Sequence, residues 1–261
     1  MKNDPKLVVL SILNVVAFLA VITVNALANI LPINGKSTGA LSDSYPNLFV
    51  PVGFTFSIWG IIYLLLAAFA VYQLVVTLRG DAAAAFTGKI GFLFILSCAA
   101  NAAWIFAWHY ERVFLSLLCM LVLLLSLVLM YLRLEIGVAA ISGKERFFFT
   151  LPFSVYLGWI TVATVANVTA LLVHLGWKGF GLSEVFWAAA VIIVAFIISL
   201  FMLANRSDTF YTLVVIWAFL GIFYKRITVD SPPVNAVALS AGICGVLLII
   251  LVLVRLLRRT A

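Results

Sequence analysis

Charge is what this 261-residue chain has least of: Asp, Glu, Lys and Arg make up 10% of it, and only two histidines are present. Glu111, Glu135 and Glu184 fall at the ends of apolar runs, so no deep group is available to move protons, and no nucleophile–base pair is assembled by spacing. An enzyme is therefore not expected, and there is no catalytic residue to name. No lysine sits in the middle of an apolar run, which excludes a retinal Schiff base. Cys98, Cys119 and Cys244 each lie inside an apolar run without paired spacing, so neither a disulfide framework nor a metal site is expected. His109 and His174 fall near one level; they are the only candidates for axial haem ligands, against the plainer reading of hydrogen-bonded interfacial side chains.

What the chain does have is apolar length. Hydrophobic residues make up 66% of it, and the mean hydropathy is +1.26, which places it among polytopic membrane proteins. The expected fold is all-α, a bundle of about eight transmembrane helices over 7–30, 53–78, 92–110, 113–132, 147–174, 185–204, 210–224 and 234–257. The run 210–224 is short enough to be partly re-entrant, 79–89 reads as a polar turn, and Pro152 is expected to kink or tighten the start of the fifth span. The run 7–30 is too long for a cleaved signal and reads as a retained helix.

The formal charge of +7 is spread between the apolar runs rather than gathered in a patch, so it reports topology and not nucleic acid. Lys2, Lys6, Arg79, Lys89, Arg133, Lys144, Arg146, Arg206, Arg255, Arg258 and Arg259 fall on one side of an eight-span bundle. Only Lys36, Arg112, Lys178, Lys225 and Arg226 fall on the other. The positive-inside rule then makes both termini cytoplasmic.

Polar and aromatic residues recur on single helical stripes. Ser97, Asn101, Trp104 and Trp108 share a face of the third span, with Cys98, Ala99, Ala102 and Ala103 keeping the other faces slim. Thr55, Trp59 and Tyr63 do so on the second span, and Tyr156, Trp159, Ala163, Asn167, Ala170 and His174 on the fifth. Counted from the outer edge, Trp59, Asn101 and Asn167 lie roughly 9 to 12 Å deep. They sit beneath the long loop 32–52, whose Tyr45 and Phe49 suggest a lid. A cavity with indole walls and orienting amides is one reading. Amides serving as interhelical glue is the other.

In their order, Pro51 with Trp59-Gly60-Ile61-Ile62-Tyr63, then Asn101-Ala102-Ala103-Trp104, then Pro152 with Trp159 and Ala163-Thr164-Val165-Ala166-Asn167 resemble the tryptophan-rich sensory protein family. This is the TspO/MBR family, also called the translocator protein or peripheral benzodiazepine receptor family, and the resemblance covers about 7–174. It implies a five-helix membrane bundle whose pocket opens toward the first loop and takes porphyrins such as protoporphyrin IX or haem, sterols and synthetic aromatics. Trp59, Tyr63, Asn101, Trp104, Trp159 and Asn167 would line that pocket, with Ala163 facing it and Tyr156 standing where the family has a tryptophan; Trp108 joins them from the stripe. The chain is thus expected to be an extended relative, with a ligand-binding core over 1–174 and three further helices over 175–261.

The function expected is binding, sensing or translocation of a flat hydrophobic molecule of porphyrin, sterol or isoprenoid type, with no cofactor required. An uncoupled transporter or lipid-moving protein is the alternative. The partners expected are the bilayer, the small hydrophobic ligand and a second copy in a homodimer, with no nucleic acid.

Overall fold

In the computed structural model residues 4–31 and 33–260 are described, and every described secondary-structure element is helical. Lys2, Pro32 and the side chain of Arg259, each used above, lie outside the described residues. The first helix, α1 (Pro5–Ile30), starts where the Asp4 side chain accepts the Lys6 amide and Pro5 sets the first turn. Its 26 residues span about 39 Å, more than a bilayer core requires.

The loop that follows folds onto the bundle. Ser37 caps a short helix, Thr38–Asp43, by accepting the Ala40 amide, and the Asn47 side chain accepts from Phe49 and Val50. A 3₁₀ turn, Gly53–Ser57, then leads into α2 (Ile58–Arg79). The polar turn expected at 79–89 is in part helix: Ala84–Ile90 folds, breaks at Gly91 and continues as α3 (Leu93–His109), bent by 54°. Gly88 and Gly91 have too little side chain to keep the axis straight, and the Cα of Gly88 lies near the Leu7 side chain of α1.

Next come α4 (Val113–Arg133) and α5 (Leu151–His174). Pro152 lies just after a π turn at Arg146–Thr150 within a helix that runs continuously from Gly143, so the irregularity expected of it is taken up in the preceding turn. The last three helices are α6 (Glu184–Arg206), α7 (Thr209–Tyr224) and α8 (Asn235–Thr260). The short seventh run gains length from a second π turn, Lys225–Val229, giving a 21-residue span over Thr209–Val229. Among the described residues seven helices are long and apolar enough to cross a membrane, or eight if the bent pair is one span.

Helices α1 to α5 close a ring in the spatial order α2, α1, α3, α4, α5, and α7 packs on the outside of α5 with α8 and α6 beyond it. The contact is close because Gly158 of α5 faces the Tyr211 backbone and Val214. It is also polar: the buried Asp208, which caps α7, accepts from Tyr131 Oη at 2.9 Å and Ser154 Oγ at 2.7 Å. On the loop side Trp217 Nε1 donates to the Thr55 carbonyl at 2.9 Å, and Gly221 lies against Thr55 and Pro51. In the half away from the loop, Phe69, Phe94, Phe149 and Phe153 interlock edge to face. Large apolar side chains point outward along the long helices, leucines and isoleucines on most of them and valines on α5, as lipid contact requires. The protein is a multi-pass integral membrane helix bundle.

Candidate functional site

Below the loop helix lies a cavity of about 40 Å³. The loop contributes Thr38, Ser42 and Pro51 to its wall, and the approach to α2 contributes Phe56 and Trp59. Trp104 and Trp108 come from α3, and Trp159, Val162, Ala163, Ala166 and Asn167 from α5. Each helix supplies these residues at spacings of three and four, so one face of each turns inward.

The indoles form a continuous wall. Trp59 stacks on Tyr63 at 5.5 Å and on Trp104 at 6.5 Å; Trp104 stacks on Trp108 at 6.1 Å; Trp159 meets Trp59 edge-on at 6.3 Å. Pairs at these separations add about 0.5 to 1.5 kcal/mol each beyond their burial. No charged residue lines the space.

Trp59, Trp104, Trp108, Trp159, Ala163 and Asn167 therefore meet around one space, whereas Tyr63, Asn101, Tyr156, Tyr45 and Phe49 are not part of its lining; Tyr63 and Tyr156 pack on Trp59 and Tyr45 on Trp108. Asn101 is fully buried between helices: its Oδ1 accepts from Asn25 of α1 at 3.2 Å, and its Nδ2 donates to Tyr156 Oη at 2.6 Å. Asn167 reaches the cavity wall, but its Oδ1 accepts from Trp104 Nε1 at 3.0 Å and its Nδ2 donates to Ser116 Oγ at 3.0 Å. Both amides thus hold helices together, and these bonds occupy the oxygen and one N–H of each. Two buried donors are left without a partner, Trp159 Nε1 in the wall and Tyr63 Oη on the ring stacked against Trp59.

Sequence spacing missed the loop residues Thr38, Ser42 and Pro51, whose approach depends on how the loop folds back. It also missed Asn25, although Ser11, Asn14 and Asn25 recur on one face of α1 and were a usable signal. Asn14 pairs with Gln73 of α2 at 3.0 Å.

The loop is fastened from beneath. His109 is fully buried, with Nδ1 at 3.0 Å from the Ile33 carbonyl and Nε2 at 3.0 Å from Thr38 Oγ1. A carbonyl only accepts, so Nδ1 carries a proton and donates to Ile33, while Nε2 shares a hydrogen bond with the Thr38 hydroxyl. With both nitrogens engaged, His109 has none to offer a haem iron. His174 is exposed and packs its ring on Tyr45 at 6.1 Å, and Tyr45 in turn meets Trp108 at 5.6 Å. Lys36 bridges to Glu111 at 2.8 Å, and that hydrogen bond lowers the Glu111 carboxyl and raises the Lys36 ammonium. Burial raises the Tyr45 phenol. Among the described residues no three His, Cys, Asp or Glu gather as a metal site, and the three cysteines are unpaired.

A family model described as TSPO-like protein matches residues 11–254, a stretch that runs through all eight spans. No curated protein and no solved structure matches the chain.

Proposed function

The chain belongs to the TSPO-like protein family, and from that premise we propose that it binds a flat, largely apolar molecule against the indoles of Trp59, Trp104, Trp108 and Trp159. The observation that carries this reading is the uncharged aromatic wall under the loop helix, in which Trp159 Nε1 is the one indole donor both buried and unpartnered. Burial against the rings supplies the affinity and the free N–H supplies an orientation. Ligand sites of drug size occupy ~300 to 1,000 Å³, against about 40 Å³ here. A space of this size admits the edge of a ring, and a tetrapyrrole requires that the cavity widen.

Trp59→Ala and Trp159→Ala are each expected to weaken pyrene and protoporphyrin IX by about ten-fold or more, because each removes part of the wall. Equilibrium titration of both probes into purified wild type and variants checks this. Saturable binding that neither substitution alters would place the ligand elsewhere.

Both termini lie on the cytoplasmic side in this reading, with the loop and the cavity toward the opposite face, on the distribution of basic residues. Reporter fusions at the two ends are expected to report the cytoplasm. A reporter on the other side at either end overturns the orientation.

A further inference from the structure

A second cleft, of about 490 Å³, opens on the far side of the loop from the aromatic cavity, and Ser42 borders both. The loop residues 42–50 form one wall, the turn after α7 forms the other, and Glu184 at the start of α6 stands at its edge. Its character is opposite to that of the aromatic cavity, since Asp43, Glu184, Lys225, Arg226 and Asp230 all line it.

Two of these groups are left unsatisfied. Arg226 is 3% exposed, yet its Nε–H has no partner, and its Nη2 reaches only the Val50 carbonyl at 3.4 Å. Nη1 lies 2.9 Å from Asp230 Oδ2, but the contact lacks hydrogen-bond geometry, so that carboxylate oxygen also accepts nothing. A buried guanidinium edge without acceptors is costly, and Nε with Nη2 forms the fork that a carboxylate or phosphate engages with two bonds. Lys225 adds a second cation beside it; its present partner, Asp43, is a largely exposed carboxylate 2.8 Å away.

Charge balance selects among oxyanions. Three carboxylates line the cleft against two cations, so a simple anion deepens a negative excess, whereas a ligand that also carries an ammonium offsets that added charge in part or, as a phosphodiester, in full. An ammonium also supplies the donors that Asp230 Oδ2 lacks, and Glu184 forms no ion pair with a described residue. The geometry points to a binding site for a small zwitterion, an oxyanion seated on Arg226 and Lys225 with a neighbouring ammonium on Asp230 and Glu184. Phosphoethanolamine carries both groups, as a free monoester with about one net negative charge at pH 7 or, with no net charge, as the diester of a lipid headgroup. The site stands independently of the aromatic cavity and its ligand.

The test is calorimetric titration of the full chain in detergent with phosphoethanolamine, inorganic phosphate and ethanolamine. Phosphoethanolamine is expected to bind saturably, and the two half-ligands about ten-fold or more weakly, since each leaves one charged partner unmatched. Glu184→Gln, on an exposed first turn, is expected to weaken the zwitterion several-fold while phosphate is unaffected or improved. Arg226→Lys, which keeps the charge and removes the fork, is expected to weaken both. If Arg226→Lys fails to fold, Glu184→Gln alone decides. Trp59→Ala is expected to change none of these. Phosphoethanolamine binding no tighter than phosphate, or untouched by Glu184→Gln, overturns the proposal, as does the absence of saturable binding. Repeating the titration in phosphatidylglycerol nanodiscs with and without phosphatidylethanolamine separates the sources. Binding lost in the presence of the lipid identifies a headgroup as occupant, and binding retained identifies a free molecule.

Discussion

Gly137→Ala is expected to remove folded protein almost completely. Gly137 sits in the connection between α4 and α5 with φ +79°, and a Cβ there would stand 1.6 Å from the Arg206 carbonyl oxygen and 2.5 Å from its carbon. The left-handed backbone alone costs an alanine about 1 to 2 kcal/mol. The overlap costs far more, because the neighbour is main chain and not the end of a flexible side chain. Arg206 cannot retreat easily: it closes α6 beside Ser207, whose hydroxyl receives Arg255, while Arg255 also donates to the Leu203 carbonyl and Asp208 is held by Tyr131 and Ser154. A single methyl group thus pries the turn between α6 and α7 away from the ring. Size-exclusion chromatography of the detergent extract with thermal unfolding checks it. A monodisperse variant melting within a few degrees of wild type would show that this contact yields.

Asn101→Leu is expected to lower stability by about 2 to 4 kcal/mol and to leave aromatic-ligand affinity within about two-fold. Interhelical hydrogen bonds in membranes are each worth about 0.6 kcal/mol on average and up to about 1.7. Losing both partners of the Asn101 amide also strands the Tyr156 hydroxyl and one proton of Asn25 in a place without water, at about 1 to 3 kcal/mol for a buried orphan. For a chain of this size the sum corresponds to a fall of roughly 5 to 15 °C in unfolding temperature. From the stripe alone both outcomes stay open, a loss of affinity with folding intact if the amide faces a cavity and a loss of stability if it is interhelical glue, because Asn101 shares its face with Trp104 and Trp108. Asn101→Leu combined with Tyr156→Phe separates the two accounts: removing donor and acceptor together should recover part of the stability. A normal melting temperature with ten-fold weaker pyrene or protoporphyrin IX binding would return Asn101 to the cavity.

The helices beyond His174 bear on the cavity without lining it. Trp217 holds the Thr55 carbonyl just ahead of Phe56 and Trp59, and Phe54 packs its ring on Trp217 and Tyr224. The family model likewise continues past His174, to residue 254. The start of α2, which carries two of the cavity's aromatic walls, is therefore set in part by α7.

Sequence by itself determined the class, the number of spans to within the bent pair at Gly91, and which faces of α2, α3 and α5 turn inward. Those follow from composition and from a period of 3.6 residues, both local properties of the chain. The motif order from Trp59 to Asn167 also carried the family resemblance. Tertiary structure decided what the inward residues do. Periodicity places Asn101, Trp104 and Asn167 on inner faces, but hydrogen-bond pairing depends on the height and rotation of neighbouring helices, which no spacing records. That is why Asn25 reaches Asn101, why Ser116 and Trp104 occupy Asn167, and why Trp159 is left with an unpartnered donor. The size of the cavity and the charged cleft beyond Ser42 belong to the same category. Both are spaces between segments distant in the chain, fixed by how a loop near residue 42 and a turn near residue 226 come to rest against each other.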